Sequence, residues 1–267
     1  MDFTLDPAID DVRRRVRRFV DERLIPLEAD RANYDEHENV REDVLAAMRL
    51  QARAEGLWAL QMPKARGGGG LSFVGMAACY EEMNRSIFGP ATFNSAAPDD
   101  GTMMALERVG TDAQKARWLQ PIVDGRVRSS FVMTEPHPGS GSDPGGMKTR
   151  AKRVQGGFVL NGSKMWITNS PIADVAVVWG KLDDEGIRGF LVDRGTKGFS
   201  TPVIEGKVSL RASVTGEIVL ENVELPEDAL LPKASGLGGP FGCLNKARYG
   251  IAWGVMGAAE DCWHRAR

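Results

Sequence analysis

The sequence predicts an α+β protein. It reads as an N-terminal all-helical domain over residues 1–127, a middle antiparallel β-barrel or sandwich domain over 128–235, and the start of a C-terminal helical bundle over 236–267. Three observations carry this. Apolar residues recur at helical spacing up to about residue 127, β-rich runs alternate with turn residues from Ser129 onward, and the helical period returns after Pro240. Strands and helices do not alternate in the middle region, so no βαβ unit is expected.

In the first region Ile9, Val12, Val16, Phe19, Val20 and Leu24 form one helical stripe, which Pro26 is expected to close. Val44, Leu45 and Met48 open a second stripe that ends at Gly56. Pro63 to Gly70, with four consecutive glycines, reads as a turn or loop. Ser72 is placed to cap a helix carrying Met76, Ala77, Tyr80 and Met83, and Thr111 with Gln114 fits a capping box ahead of Trp118 and Leu119.

The predicted strands are Ser130 to Met133, Phe158 to Asn161, Met165 to Thr168, Val175 to Trp179, Ile187 to Asp193 and Glu217 to Leu225. Asn161-Gly162 reads as a tight turn between two of them. Pro226, Pro232 and the glycines from Gly236 to Gly239 mark a linker. Beyond it Leu244, Arg248, Ile251, Ala252, Val255 and Ala259 line one helix side, while Trp253, Met256 and Trp263 are apolar on others. A helix apolar on several faces expects burial in a bundle, and without partners it would present an exposed apolar patch.

With 267 residues, 42% of them hydrophobic, the chain can bury a substantial core. A net charge of −2 gives no bulk attraction to nucleic acid or membrane, and the run Arg13, Arg14, Arg15, Arg17 and Arg18 is offset by eight acids within the first thirty residues, as on the wet face of an amphipathic helix. Those acids also argue against a transit peptide, so a bacterial-type cytoplasmic location is expected, or the mitochondrial matrix in a eukaryote. No apolar stretch is long enough to span a bilayer. Cys79, Cys243 and Cys262 lack metal or redox spacing and read as reduced thiols, and the scattered histidines predict no metal site.

The segments with chemical content are Phe131-Val-Met-Thr-Glu-Pro136, Gly141-Ser142-Asp143 and Met165-Trp-Ile-Thr-Asn169. Aromatic walls, hydroxyl donors and a glycine turn with exposed N–H groups suit a flat redox ring and its phosphates, although each segment alone is also an ordinary strand or strand exit. Together, on a β-domain between helical regions, they resemble the acyl-CoA dehydrogenase family. The resemblance covers essentially the whole chain. It implies FAD as cofactor, held without a GxGxxG motif, with Phe131, Met133, Thr134, Ser142, Trp166, Ile167 and Thr168 as its binding residues. Met133 and Thr134 would meet the ring's pyrimidine edge, Ser142 the pyrophosphate, Trp166 the flavin face, and Thr168 would donate to N5. Ser140, Asn245 and Arg248 would contact the acyl-CoA substrate.

From Gly141 onward the chain is similar to the glutaryl-CoA dehydrogenase branch, as in Asn161-Gly-Ser-Lys-Met-Trp-Ile-Thr-Asn169 and Lys207-Val-Ser-Leu-Arg-Ala-Ser213. Earlier segments, including Asn94-Ser-Ala-Ala-Pro-Asp99, resemble a medium- to long-chain branch. The position where the glutaryl branch carries an arginine for the substrate carboxylate falls near Thr92, with Arg85 several residues away. No catalytic residue is assigned: the family's Glu base is expected beyond Arg267, which reads as a C-terminal truncation and makes the chain alone an expected poor catalyst. A non-catalytic flavin-binding fragment or recombinant remnant is the alternative. The resemblance further implies electron-transfer flavoprotein as electron acceptor and a homotetrameric family assembly, with no nucleic-acid or membrane partner.

Overall fold

The structure, a computed structural model, describes residues 4–267. Contacts divide the chain into two units: one runs to Ala96 and takes in Lys246–Arg267, and the other is Ala97–Asn245.

In the first unit, α1 (Pro7–Phe19) starts at an Asp6 cap and continues through a π-helical turn, Val20–Leu24, into α2 (Ile25–Glu28). Pro26 therefore does not close the helix as the sequence suggested. The π turn has already loosened the hydrogen-bond ladder ahead of it, with Ile25 N–H donating to Val20 O, so the proline ring is accommodated. The second stripe is α3 (Glu42–Ala54), ended by Gly56 at a positive φ of 68°. Ser72 caps α4 (Phe73–Met83) by accepting from Gly75 N–H at 3.2 Å, and α5 (Gly89–Thr92) is a single turn. Val16, Phe19, Leu24, Met76, Cys79 and Phe93 belong to one buried core.

The arginine run is partly an internal device. Glu82, 3% exposed, accepts from Arg13 at 2.6 Å and Arg17 at 3.3 Å, and Arg17 also reaches Glu260 at 3.2 Å. Arg14 pairs with Asp10 on its own helix at 2.5 Å.

The second unit opens with α6 (Asp99–Val109), α7 (Asp112–Gln114), a π-helical segment Lys115–Leu119 and α8 (Gln120–Val123). Both bonds of the capping box at Thr111 and Gln114 are present. The strands follow: β1 (Ser129–Val132), β2 (Arg150–Val154), β3 (Gly157–Thr168), β4 (Val175–Leu182), β5 (Gly186–Asp193), β6 (Phe199–Ser200) and β7 (Thr215–Pro226). They form one seven-stranded sheet, curled around a core that includes Val132, Phe158, Leu160, Ile167, Val178 and Phe190.

The sheet departs from the sequence-based expectation in two respects. The sheet is mixed rather than antiparallel, because β1 pairs with β4 in parallel over Ser129↔Val175 to Val132↔Val178, and β2 pairs with it in parallel at Lys181 and Leu182. Among the described residues no pairing closes β5 onto β6, so a closed barrel is not formed by these ladders. The parallel pairs arise because the β2–β3 hairpin intervenes: β3 runs back antiparallel, and β4 then returns in the direction of β1. The hairpin turns at Gln155-Gly156, with Gly156 at φ 84°. Asn161-Gly162 instead sits inside the continuous β3 as a bulge opposite β7, where Asn161 accepts from Asn222 N–H at 2.8 Å.

The final helix, α9 (Gly238–Ala266), crosses from one unit into the other. Its face toward α4 is a stripe of glycines, Gly250, Gly254 and Gly257, the last two buried. The large apolar side chains Ile251 (63%), Trp253 (40%), Val255 (52%), Met256 (55%) and Trp263 (55%) are exposed instead. No helix among the described residues is long and apolar enough to cross a membrane.

Candidate functional site

β1 is fixed at its start by α6. Asp99, in the first turn of α6 and 3% exposed, accepts from Ser129 N–H at 2.7 Å, Ser129 hydroxyl at 2.8 Å and Arg128 Nε at 2.7 Å. Such a carboxylate satisfies three donors that would otherwise be buried without partners. Side chains then alternate along β1. Val132 enters the core, so Phe131 and Met133, both half-buried, project from the other face. On that face the Phe131 and Trp179 rings lie 5.8 Å apart.

β1 also borders β3. Met165 N–H donates to Thr134 O at 3.0 Å, Lys164 Nζ to Met133 O at 2.9 Å, and Asn169 Nδ2 to Ser129 O at 3.2 Å. These three bonds run antiparallel and join residues 129–134 to residues 164–169. The two informative sequence segments are thus neighbours along one seam, with Thr134 at one end and Thr168 at the other.

Within this seam β3 is irregular. Its register against β7 shifts between Lys164 and Ile167, and Trp166 there adopts a φ of +62°, a left-handed conformation rare for a bulky residue. The bulge turns the Trp166 side chain out, leaving it 55% exposed. Ile167 is in the core at 2% exposure, so its contribution to any ligand is confined to its main chain. Thr168, half-buried, points away from the core by the same alternation.

β1 and β2 occupy the same place between β4 and β3, end to end. The chain leaves that place after Met133, makes an excursion through Pro136–Met147, and re-enters at Thr149, whose carbonyl accepts from Lys181 N–H at 3.0 Å. Glu135 sits in the resulting gap. Its carboxylate accepts from Lys148 N–H (2.7 Å), Thr149 N–H (2.8 Å), Thr149 hydroxyl (2.6 Å) and Ser140 N–H (3.2 Å), and pairs with Lys164 at 3.2 Å. Burial alone would push this carboxyl up, but the Thr149 hydroxyl, the two backbone N–H groups and the Lys164 ammonium outweigh it and hold it at about 2. Burial dominates at Lys164, which has no exposed side-chain surface, and lowers its ammonium to about 8 against the opposing pull of Glu135. The excursion folds so closely over Glu135 that a Cβ on Gly139 would lie 2.6 Å from Pro136 O and 2.8 Å from Glu135 Cβ. Ser140 is half-buried on this loop and Ser142 is exposed.

Asn245 and Arg248 stand three residues apart on α9, both exposed, a spacing that sets them on one helix face. Sequence reasoning missed Asp99 and the Glu135–Lys164 pair as organisers of the site. Lys164 interrupts an otherwise strand-like run, and a lysine at a core-facing strand position was the signal that could have found it.

The face bearing Phe131, Met133, Trp166 and Thr168, beside a loop that carries the half-buried Ser140 and the exposed Ser142, fits a flat, partly polar ligand. The Trp179 indole N–H, fully buried beside Phe131, has no protein partner, and this orphan donor is consistent with a polar ligand on that face. Fold and site together define two units, one helical and one built on a curled mixed sheet. The family model "Acyl-CoA dehydrogenase, N-terminal domain" matches residues 6–126 and "Acyl-CoA dehydrogenase, middle domain" matches residues 130–223. The chain belongs to the acyl-CoA dehydrogenase family.

Among its relatives, mitochondrial isovaleryl-CoA dehydrogenase of Arabidopsis thaliana is 35% identical over 211 residues, covering 77% of this chain and 51% of the relative. The CarC subunit of the caffeyl-CoA reductase-Etf complex of Acetobacterium woodii is 32% identical over 216 residues, covering 79% and 56%. A glutaryl-CoA dehydrogenase from Mycobacterium smegmatis, solved in complex with FADH2, superimposes with a TM-score of 0.81 at 39% identity, covering 96% of this chain and 64% of that one. The chain spans about half the length of the curated relatives it matches.

Proposed function

We propose that this chain forms the flavin-cradling part of an FAD-dependent acyl-CoA dehydrogenase, an oxidoreductase that removes hydrogen from the α and β carbons of an acyl-CoA thioester. The observation that carries the reading is the β1–β3 seam, which sets Phe131, Met133, Thr134, Trp166 and Thr168 along one line within the sheet. The similar glutaryl-CoA dehydrogenase solved in complex with FADH2 supports the choice of cofactor.

When bound, FAD supplies the acceptor for the β-hydride. The chain's own residues bind and orient. Phe131, Met133 and Trp166 offer apolar surface that excludes water from the ring. The Thr134 and Thr168 hydroxyls offer donors to ring heteroatoms, Thr168 toward N5, where a donor stabilises developing charge. Ser142 and the N–H groups around Gly141 suit a pyrophosphate. Ser140, Asn245 and Arg248 are assigned to acyl-CoA, the guanidinium because its planar fork suits phosphate and carbonyl oxygens. The relatedness to CarC, a subunit of an Etf complex, supports electron-transfer flavoprotein as the redox partner of the whole protein, and the homotetramer of the family is proposed for it too.

FAD added in excess to the purified chain should remain with the protein through gel filtration and show a perturbed visible band. Elution of all the flavin at the position of free FAD would sink the reading.

The acyl group is proposed to be uncharged at its far end. Thr92 is fully buried and carries no charge, and Arg85 is engaged with Asp21 at 2.7 Å and Glu82 at 3.6 Å. A dicarboxylic acyl chain would bury its free carboxylate without a cation at that position. In the complete enzyme, kcat/KM for glutaryl-CoA is expected to fall at least about tenfold below that for a saturated monocarboxylic acyl-CoA of similar length. Steady-state kinetics with both substrates check this, and equal or better turnover of glutaryl-CoA refutes it.

A further inference from the structure

Lys164 and Glu135 are the buried charged pair of the β-unit that the dehydrogenation chemistry does not itself use. Their position is specific: they fill the place where a strand would continue between β1 and β2. Lys164 donates both to Met133 O at 2.9 Å and to Glu135 at 3.2 Å, while Glu135 collects the N–H groups of Lys148 and Thr149 on the returning chain. One end of the pair therefore grips the main chain where the excursion departs, and the other grips it where the excursion returns.

We infer that the Glu135–Lys164 pair is a charge-balanced plug that positions the Met133–Thr134 main chain against the flavin, making Lys164 a positioning residue that tunes the bound cofactor without touching it. This deepens the flavin reading above and rests on it. The plug lies directly behind residues assigned to the ring's polar edge, with Met133 O as the link. A net charge left there acts on the cofactor through a short, poorly solvated path. Reduced flavin carries more negative charge than oxidised flavin, so an unbalanced carboxylate at this place selects against the reduced form.

The test uses the 267-residue chain, FAD and reduced FAD. In Lys164→Met the Glu135 carboxylate keeps its Lys148 and Thr149 donors and stays ionised. Oxidised FAD should bind at least about tenfold more weakly, because Met133 O loses its anchor. The ratio of the dissociation constants for reduced and oxidised FAD should rise at least a further tenfold, read as a lower midpoint potential of the bound flavin. The double variant Glu135→Gln/Lys164→Met, which removes both charges, should keep the weaker binding of oxidised FAD but return the ratio to within about threefold of the parent. This second variant carries the test if the first does not fold. Parent-like affinity in the double variant, or an unchanged ratio in Lys164→Met, overturns the inference. A parent chain that takes up no FAD overturns the flavin reading and this inference with it.

Discussion

Glu135→Ala should destabilise the β-unit by about 3–5 kcal/mol, the range for removing one partner of a buried ion pair. The change strands the Lys164 ammonium and three donors of Lys148 and Thr149 in a site closed to water. The loss should depend on pH in a defined direction. Glu135 is depressed to about 2 from its ordinary 4.5, so its contribution is complete above about pH 4.5 and disappears as pH falls through about 2. Lys164, already lowered to about 8, has no opposing carboxylate in the variant and sheds its proton more readily. Deprotonation relieves the stranded charge, so the gap between parent and variant should be wider at pH 5 than at pH 9. Denaturant unfolding across that range checks it, and a gap independent of pH would show that Lys164 is not charged in the parent.

The second large effect is expected at the contact of α9 with α4. An added Cβ at Gly257 would lie 1.7 Å from Glu81 O, and one at Gly254 would lie 2.6 Å from Asn84 Nδ2. At Gly257 the obstacle is main chain, which cannot swing aside, so Gly257→Val should push the helix off α4 and cost about 3 kcal/mol or more. At Gly250 the nearest neighbour is the Tyr80 ring at 3.2 Å, so Gly250→Ala should stay within about 1 kcal/mol, helped by the better helix propensity of alanine. Hydrogen exchange along α9 measures both. Protection of the Gly257→Val helix equal to the parent's would show that this contact does not hold it.

Much of the fold was legible in the sequence. The cap at Ser72, the capping box at Thr111 and the stop at Gly56 are local devices, settled by residues within one turn of each other. Four of the β-rich runs, those at 130–133, 175–179, 187–193 and 217–225, begin and end within three residues of observed strand limits because their inward positions are apolar. The runs at 158–161 and 165–168 are instead the two ends of the single strand β3. β2 escaped notice because only Ala151 of Arg-Ala-Lys-Arg-Val is buried, leaving no alternation to read. Parallel pairing of β1 with β4 also escaped, since strand partners are chosen by the long-range path of the chain and not by either segment's composition. In the candidate site, the family resemblance singled out Phe131, Met133, Trp166 and Thr168, and the structure sets their two segments side by side along the β1–β3 seam. The left-handed backbone at Trp166 was not legible, because nothing in Met-Trp-Ile advertises a bulge that only the register against β7 creates. The apolar richness of α9 was legible, and its large side chains are exposed in the structure, whereas the small residues that dock it were not seen as a binding stripe.

The two short strands that share one lane of the sheet have separate anchors, Asp99 at the head of β1 and the β3 hairpin beside β2. A length change in Pro136–Met147 therefore leaves the inside–outside sense of both strands intact, where the same change within an uninterrupted strand would turn every following side chain over. The excursion between them is in this way the part of the β-unit whose length can drift while the pairing of both strands stays as it is.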